Sequence, residues 1–136
     1  MQPIESVLET ILYSTDLESA HSFYRDILGL SPLGDHSGLA AGFRINDTHV
    51  LLIFNPKISG QPGRDVPSHG PHGEGHIAFR IAPEDFEAWQ KKLRERGVSI
   101  EQVHEWEQGG RSIYCRDPHG NSVELIDSDI WPNRSE

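Results

Sequence analysis

Residues 7–14, "VLETILYS", alternate apolar and polar positions and are rich in Val, Leu, Ile and Tyr, which predicts a strand. Thr15 followed by Glu18 has the spacing of a capping box, with hydroxyl and carboxylate each meeting a free backbone N–H. Leu17, Ala20, Phe23, Tyr24, Ile27 and Leu28 then recur at helical spacing, and Gly29 is placed to end the helix. Short apolar runs at 39–45 and 49–54 predict two further strands.

The same order returns in "GHIAFRIAPEDFEAWQKKLRERGVSI". A strand over 76–81 precedes Pro83, which suits a helix start because its missing N–H costs nothing there. Phe86, Trp89 and Leu93 mark one apolar face, Gly97 ends the helix, and strands follow at 111–116 and 121–127. Between the halves, "PKISGQPGRDVPSHGPHGEG" carries too many prolines and glycines for a helix or strand interior. It reads as a connection, either a solvated linker or a rim over a binding site. The pattern predicts an α+β protein of two βαβββ modules in one domain over 1–136: about 5–55, a connection of about 56–74, and about 75–130.

Composition narrows the function classes. A chain of 136 residues suits one domain, and 35% hydrophobic with 24% charged residues is ordinary for a soluble globular protein. The net charge of −9 argues against a nucleic-acid backbone as partner, since phosphates would be repelled. Neither a membrane-length apolar run nor a signal region is legible, and the single Cys115 excludes an intramolecular disulfide. A cytoplasmic protein without membrane contact is the expectation.

The candidate chemistry lies at strand starts. Glu9 opens the first strand as His76 opens the corresponding strand of the second half, and period-two alternation sets each opposite the more apolar face. In the last strand Val123 and Leu125 belong under a helix, leaving Ser122, Glu124 and Ile126 on the face of His76. Leu51 is taken as the counterpart of Glu124 in the first half. Buried carboxylates need a counter-charge, so Glu9, His76 and Glu124 suggest a divalent cation with open positions. The other reading pairs the carboxylates with Arg44 or Arg80 and packs His76 into the core.

Three segments resemble the vicinal oxygen chelate superfamily, also called the glyoxalase, bleomycin-resistance and dioxygenase group. They are "LYSTDLESAHSFYRDILGL", "GHIAF" and "GGRSIYCRDPHGNSVELID", and the likeness, strongest to glyoxalase-like members, covers nearly the whole chain. The resemblance implies mixed sheets curled around a central cavity. It also implies metal ligands at Glu9, His76 and Glu124, with Zn, Ni, Mn, Co or Fe as the ion. Glyoxalase I-type members have a carboxylate at the place assigned to Leu51. Extradiol dioxygenases and fosfomycin-modifying members usually have histidine at the place of Glu9.

Around that centre, alternation puts Ser112 and Tyr114 on the metal face and Ile113 and Cys115 beneath the helix. Tyr114 resembles a tyrosine that fosfomycin-modifying relatives use near substrate, or is a plain aromatic wall. Arg111 is a candidate for an anionic ligand or is solvated. His69 and His72, in the connection, are candidate acids or bases, and Tyr13 and Trp106 candidate pocket walls. His119 falls in the "DPHG" turn, and Cys115 reads as inert packing.

The expectation is a metal-dependent lyase or isomerase acting on a small molecule with adjacent oxygens. Glu9 or Glu124 would carry the proton, and a homodimer would complete the cavity. A non-catalytic antibiotic-binding protein is the alternative, ahead of a dioxygenase or a fosfomycin-type thiol transferase.

Overall fold

The computed structural model describes residues 1–3 and 5–128. The chain is α+β and divides into two compact units, Met1–Gly75 and His76–Glu136. Each holds an open four-stranded mixed sheet. Among the described residues no helix is long and apolar enough to cross a membrane.

In the first unit, β1 (Glu9–Tyr13), β2 (Ser31–Pro32), β3 (Ala40–Asn46) and β4 (His49–Phe54) are ordered β1-β4-β3-β2. The helix α1 (Leu17–Ser22) continues as a π-helical turn over Phe23–Ile27. Its cap differs from the expected Thr15–Glu18 box: Asp16 accepts the Ser19 N–H at 3.1 Å. A carboxylate one residue nearer the helix reaches the free N–H, so Asp16 takes the role given to Thr15. Gly29 does stand past the helix end, with φ of 75°.

The core of this unit follows from alternation. Leu12, Ala41, Phe43, Leu51 and Ile53 are buried on one face of the sheet, with Tyr24 of the π-helical turn against Phe43 at 5.7 Å between ring centroids. Glu9, Ile11, Tyr13, Val50, Leu52 and Phe54 fall on the other face.

The connection is more ordered than its composition suggests. Asn55 caps a short helix, α2 (Pro56–Ser59), by accepting the Lys57 N–H at 3.1 Å, and Pro56 occupies the first turn. The chain then folds back. His69 donates its backbone N–H to the Ser59 carbonyl at 2.9 Å, and the buried Ser59 hydroxyl donates to the His69 carbonyl at 2.8 Å.

In the second unit, β5 (His76–Arg80), β6 (Gln102–Glu105), β7 (Arg111–Arg116) and β8 (Ser122–Ile126) are ordered β5-β8-β7-β6. A 3-10 turn over Pro83–Asp85 leads into α3 (Phe86–Glu95), which buries Phe86 and Leu93; Ile113, Cys115, Val123 and Leu125 are buried in the sheet. Both ends of the β7–β8 hairpin are pinned. At the tip, Asp117 accepts the backbone N–H groups of His119 and Asn121 at 3.0 and 2.9 Å and the Asn121 side-chain amide at 2.9 Å. At the base, Asp127 accepts the Arg111 backbone N–H at 2.6 Å and its Nε at 3.0 Å. Those clamps set the register in which Tyr114 faces Glu124 and Ser112 faces Ile126.

Candidate metal centre

His76 and Glu124 meet on one face of the second sheet. The parallel register places His76 beside Ser122 and Ala78 beside Glu124, so the histidine and the carboxylate are diagonal neighbours. His76 Nε2 lies 3.2 Å from Glu124 Oε1, and its Nδ1 lies 3.2 Å from the Ser122 carbonyl oxygen. A carbonyl only accepts, so Nδ1 carries the proton and donates it. Nε2 then faces a carboxylate oxygen, which can only accept. Contact at that distance requires either a proton on Nε2 or a cation between the two groups.

The surroundings separate the two groups. The Glu124 side chain is 8% exposed and that of His76 is 50% exposed. His76 is therefore no core histidine, and Glu124 pairs with it and with a hydroxyl rather than with Arg44 or Arg80. Ser112, fully buried, donates its hydroxyl to Glu124 Oε2 at 2.6 Å and accepts the Trp106 indole N–H at 2.8 Å. The Tyr114 ring stacks on His76 at 6.4 Å between centroids. Burial, and then the Glu124 charge, push the Tyr114 phenol above its ordinary range.

The remaining candidates divide. In the first unit Glu9 is exposed at the start of β1, so the burial argument holds for Glu124 and not for Glu9. Tyr13, on the face of Glu9, has its hydroxyl 2.6 Å from His69 Nδ1, and Phe54 packs edge-on to the same imidazole at 4.7 Å. Sequence reasoning named Tyr13 and His69 separately; the Ser59 clasp that joins them had no sequence signal. His72 is exposed in the same connection. Arg111 is spent on the protein: its guanidinium holds Asp127, Glu87 and the Pro83 carbonyl and lies over Phe86 at 4.0 Å. Among the described residues no three His, Cys, Asp or Glu side chains come together as a metal cluster, and His76 with Glu124 forms a pair.

Leu51 is a correction. Register pairs Glu9 with Val50 as it pairs His76 with Ser122, so the counterpart of Glu124 is Leu52. Leu51 pairs with Phe43 on the helix-covered face, where both are fully buried. A one-residue error in register moves a side chain to the opposite face of a strand.

Residues 6–125 match the Glyoxalase/Bleomycin resistance protein/Dioxygenase superfamily, and the chain belongs to that family. The chain is 33% identical to a lactoylglutathione lyase from Agrobacterium tumefaciens, whose crystal structure superimposes with a TM-score of 0.87 over 96% of this chain and 98% of that one. It is 32% identical to the metallothiol transferase FosB of Staphylococcus epidermidis, over 90% of this chain and 81% of the relative. To the glutathione transferase FosA of Serratia marcescens it is 30% identical, over 90% of this chain and 80% of the relative.

Proposed function

We propose that this chain is a divalent-metal-dependent enzyme acting on a small molecule with adjacent oxygens, in a reaction that makes or breaks a bond next to a thiol-derived sulfur. His76 and Glu124 would hold the cation, with Glu9 proposed as a further ligand on the strength of the family resemblance alone. The observation that carries the reading is the His76–Glu124 pair, with Nδ1 tied to a carbonyl and Nε2 turned towards a carboxylate oxygen. One imidazole and carboxylate oxygens form a donor set that suits Zn, Ni, Mn, Co or Fe and leaves positions for substrate. A cation held there would supply Lewis-acid chemistry for the substrate oxygens.

The chain's own residues do the rest. Ser112 holds the Glu124 carboxylate through Oε2, and the Tyr114 ring lies beside His76. In this reading Glu9, exposed at the start of β1, would take a proton from a carbon beside a substrate carbonyl. His69 and Tyr13 form a proton-bearing pair able to bond a substrate oxygen.

The likeness to a lactoylglutathione lyase supports lyase or isomerase chemistry, as does Glu9 where fosfomycin-modifying members usually have histidine. A thiol transferase is the second reading, favoured by the likeness to FosB and FosA. We place the enzyme in the cytoplasm as a homodimer.

Elemental analysis and thermal shift with Mn, Ni, Co, Zn and Fe test the cation. Assays of the loaded protein with lactoylglutathione, and with fosfomycin plus glutathione, separate the two chemistries. Stabilisation by one ion with turnover of lactoylglutathione is expected. No stabilisation by any ion overturns the reading in favour of a metal-free binding protein, and turnover of fosfomycin alone establishes the transferase.

A further inference from the structure

The two oxygens of Glu124 are held differently. Oε1 faces His76 Nε2 at 3.2 Å, whereas Oε2 accepts the Ser112 hydroxyl at 2.6 Å. The direction of the second bond is settled by its neighbours. The Trp106 indole only donates and a carboxylate only accepts, so the Ser112 hydrogen points at Oε2. The chain Trp106–Ser112–Glu124 therefore has one consistent polarity, and its middle member is fully buried.

Local structure builds this chain for one outcome. Trp106 lies on a turn closed by its N–H to the Gly110 carbonyl at 2.9 Å and by the Gly109 N–H to the Trp106 carbonyl at 3.0 Å. Gly109 and Gly110 have φ of 98° and 100°, and a side chain on Gly110 would collide with Ser128. The turn carries the indole back to β7, while the Asp127 and Asp117 clamps keep β7 and β8 in step. An indole, a hydroxyl and a carboxylate are thus held in line by backbone that tolerates little else.

We propose that Trp106 and Ser112 are positioning residues that hold Glu124 as a one-oxygen metal ligand, biasing the centre towards small six-coordinate ions and against Ca²⁺. This rests on the reading of Glu124 as a metal ligand. With Oε2 committed to Ser112, the carboxylate resists turning to offer both oxygens, the mode that large, high-coordination Ca²⁺ readily accepts. Outer bonds of this kind set ligand orientation and tune affinity.

Calorimetric titration of the full chain with Mn²⁺ and, separately, Ca²⁺ tests this in the parent protein, Ser112→Ala and Trp106→Phe, each checked for folding by circular dichroism. Mn²⁺ affinity should fall about 10–100-fold in Ser112→Ala and less in Trp106→Phe. The Mn²⁺ over Ca²⁺ preference should narrow in both. A lower melting temperature with both affinities unchanged means a purely structural role and overturns the inference. If Ser112→Ala does not fold, Trp106→Phe carries the test, and an unchanged ion preference there overturns it. A parent protein that binds neither ion overturns the inference, and if Ni, Co, Zn and Fe also fail to stabilise it the metal reading falls as well; a parent that binds Mn²⁺ beside unaltered variants overturns only the positioning role.

Discussion

Leu52 of β4 stands where Glu124 stands in β8: each lies two residues beyond the partner of the residue that opens the adjacent parallel strand, Glu9 or His76. Leu51, one residue earlier, is sealed against Phe43. Leu51→Ala should cost about 2–5 kcal/mol through lost burial and a residual cavity. Leu51→Glu should cost more, because its charge has no solvent or partner. Leu52→Glu should leave the melting temperature nearer that of the parent, because Leu52 lies on the face of the sheet opposite that core. Denaturant melts on the two Glu variants check this, and equal destabilisation would falsify the register argument.

His76→Ala should remove metal-induced stabilisation while changing the stability of the metal-free protein by less than about 1 kcal/mol. The side chain is 50% exposed, and the buried core of its unit is built from Phe86, Leu93, Ile113, Val123 and Leu125. Thermal melts with and without Mn²⁺ separate the two effects. A large loss of stability without metal would return His76 to a packing role.

Cys115 should resist thiol reagents in the native state. Burial pushes its thiol up to about 11 from an ordinary 9.0, with the Asp117 and Glu101 charges adding to the effect. At pH 8 the thiolate population is then about 100-fold below that of an ordinary thiol. Reaction with a colorimetric disulfide should be slow in buffer and fast in guanidinium. Rapid labelling of the folded protein would contradict the burial of this thiol.

Asp16 should link helix α1 to acid stability. Its hydrogen bond from the Ser19 backbone N–H, with the Ser19 side chain next, holds the carboxyl below its ordinary 3.8. A group with a depressed folded pKa stabilises the fold above its unfolded pKa, and that stabilisation is lost as pH falls through the folded value. Asp16→Ala should therefore melt earlier than the parent at pH 7, and the gap should shrink below pH 3.8. Paired melting curves at pH 7 and near 3 test it; a gap that persists in acid would point to a contact other than the ionised cap.

Several elements were legible in the order of residues because they depend on local chemistry. Alternation placed the long strands, and helical spacing with Gly29 and Gly97 bounded α1 and α3. The pairing of Asp117 with its own turn needs only residues up to Asn121, so the "DPHG" turn was readable as well. The face shared by His76 and Glu124 followed from period two within each strand.

Tertiary structure decided whatever depends on the relation of one segment to another. The two-residue strand β2 and the short β6 carry too few side chains for a period and exist through pairing with β3 and β7. The register of β4 against β1, which exchanges Leu51 for Leu52, is set by which leucine meets Phe43, a contact between strands that no local pattern encodes. Arg111 went to Asp127 and Glu87 because folding brings those carboxylates to it from 16 and 24 residues away. His69 reached Tyr13 through the Ser59 clasp across 56 residues of chain. Side-chain type and local spacing are properties of the chain, whereas the partner of a polar group is chosen by which distant group desolvates beside it, and that choice exists only in the folded protein.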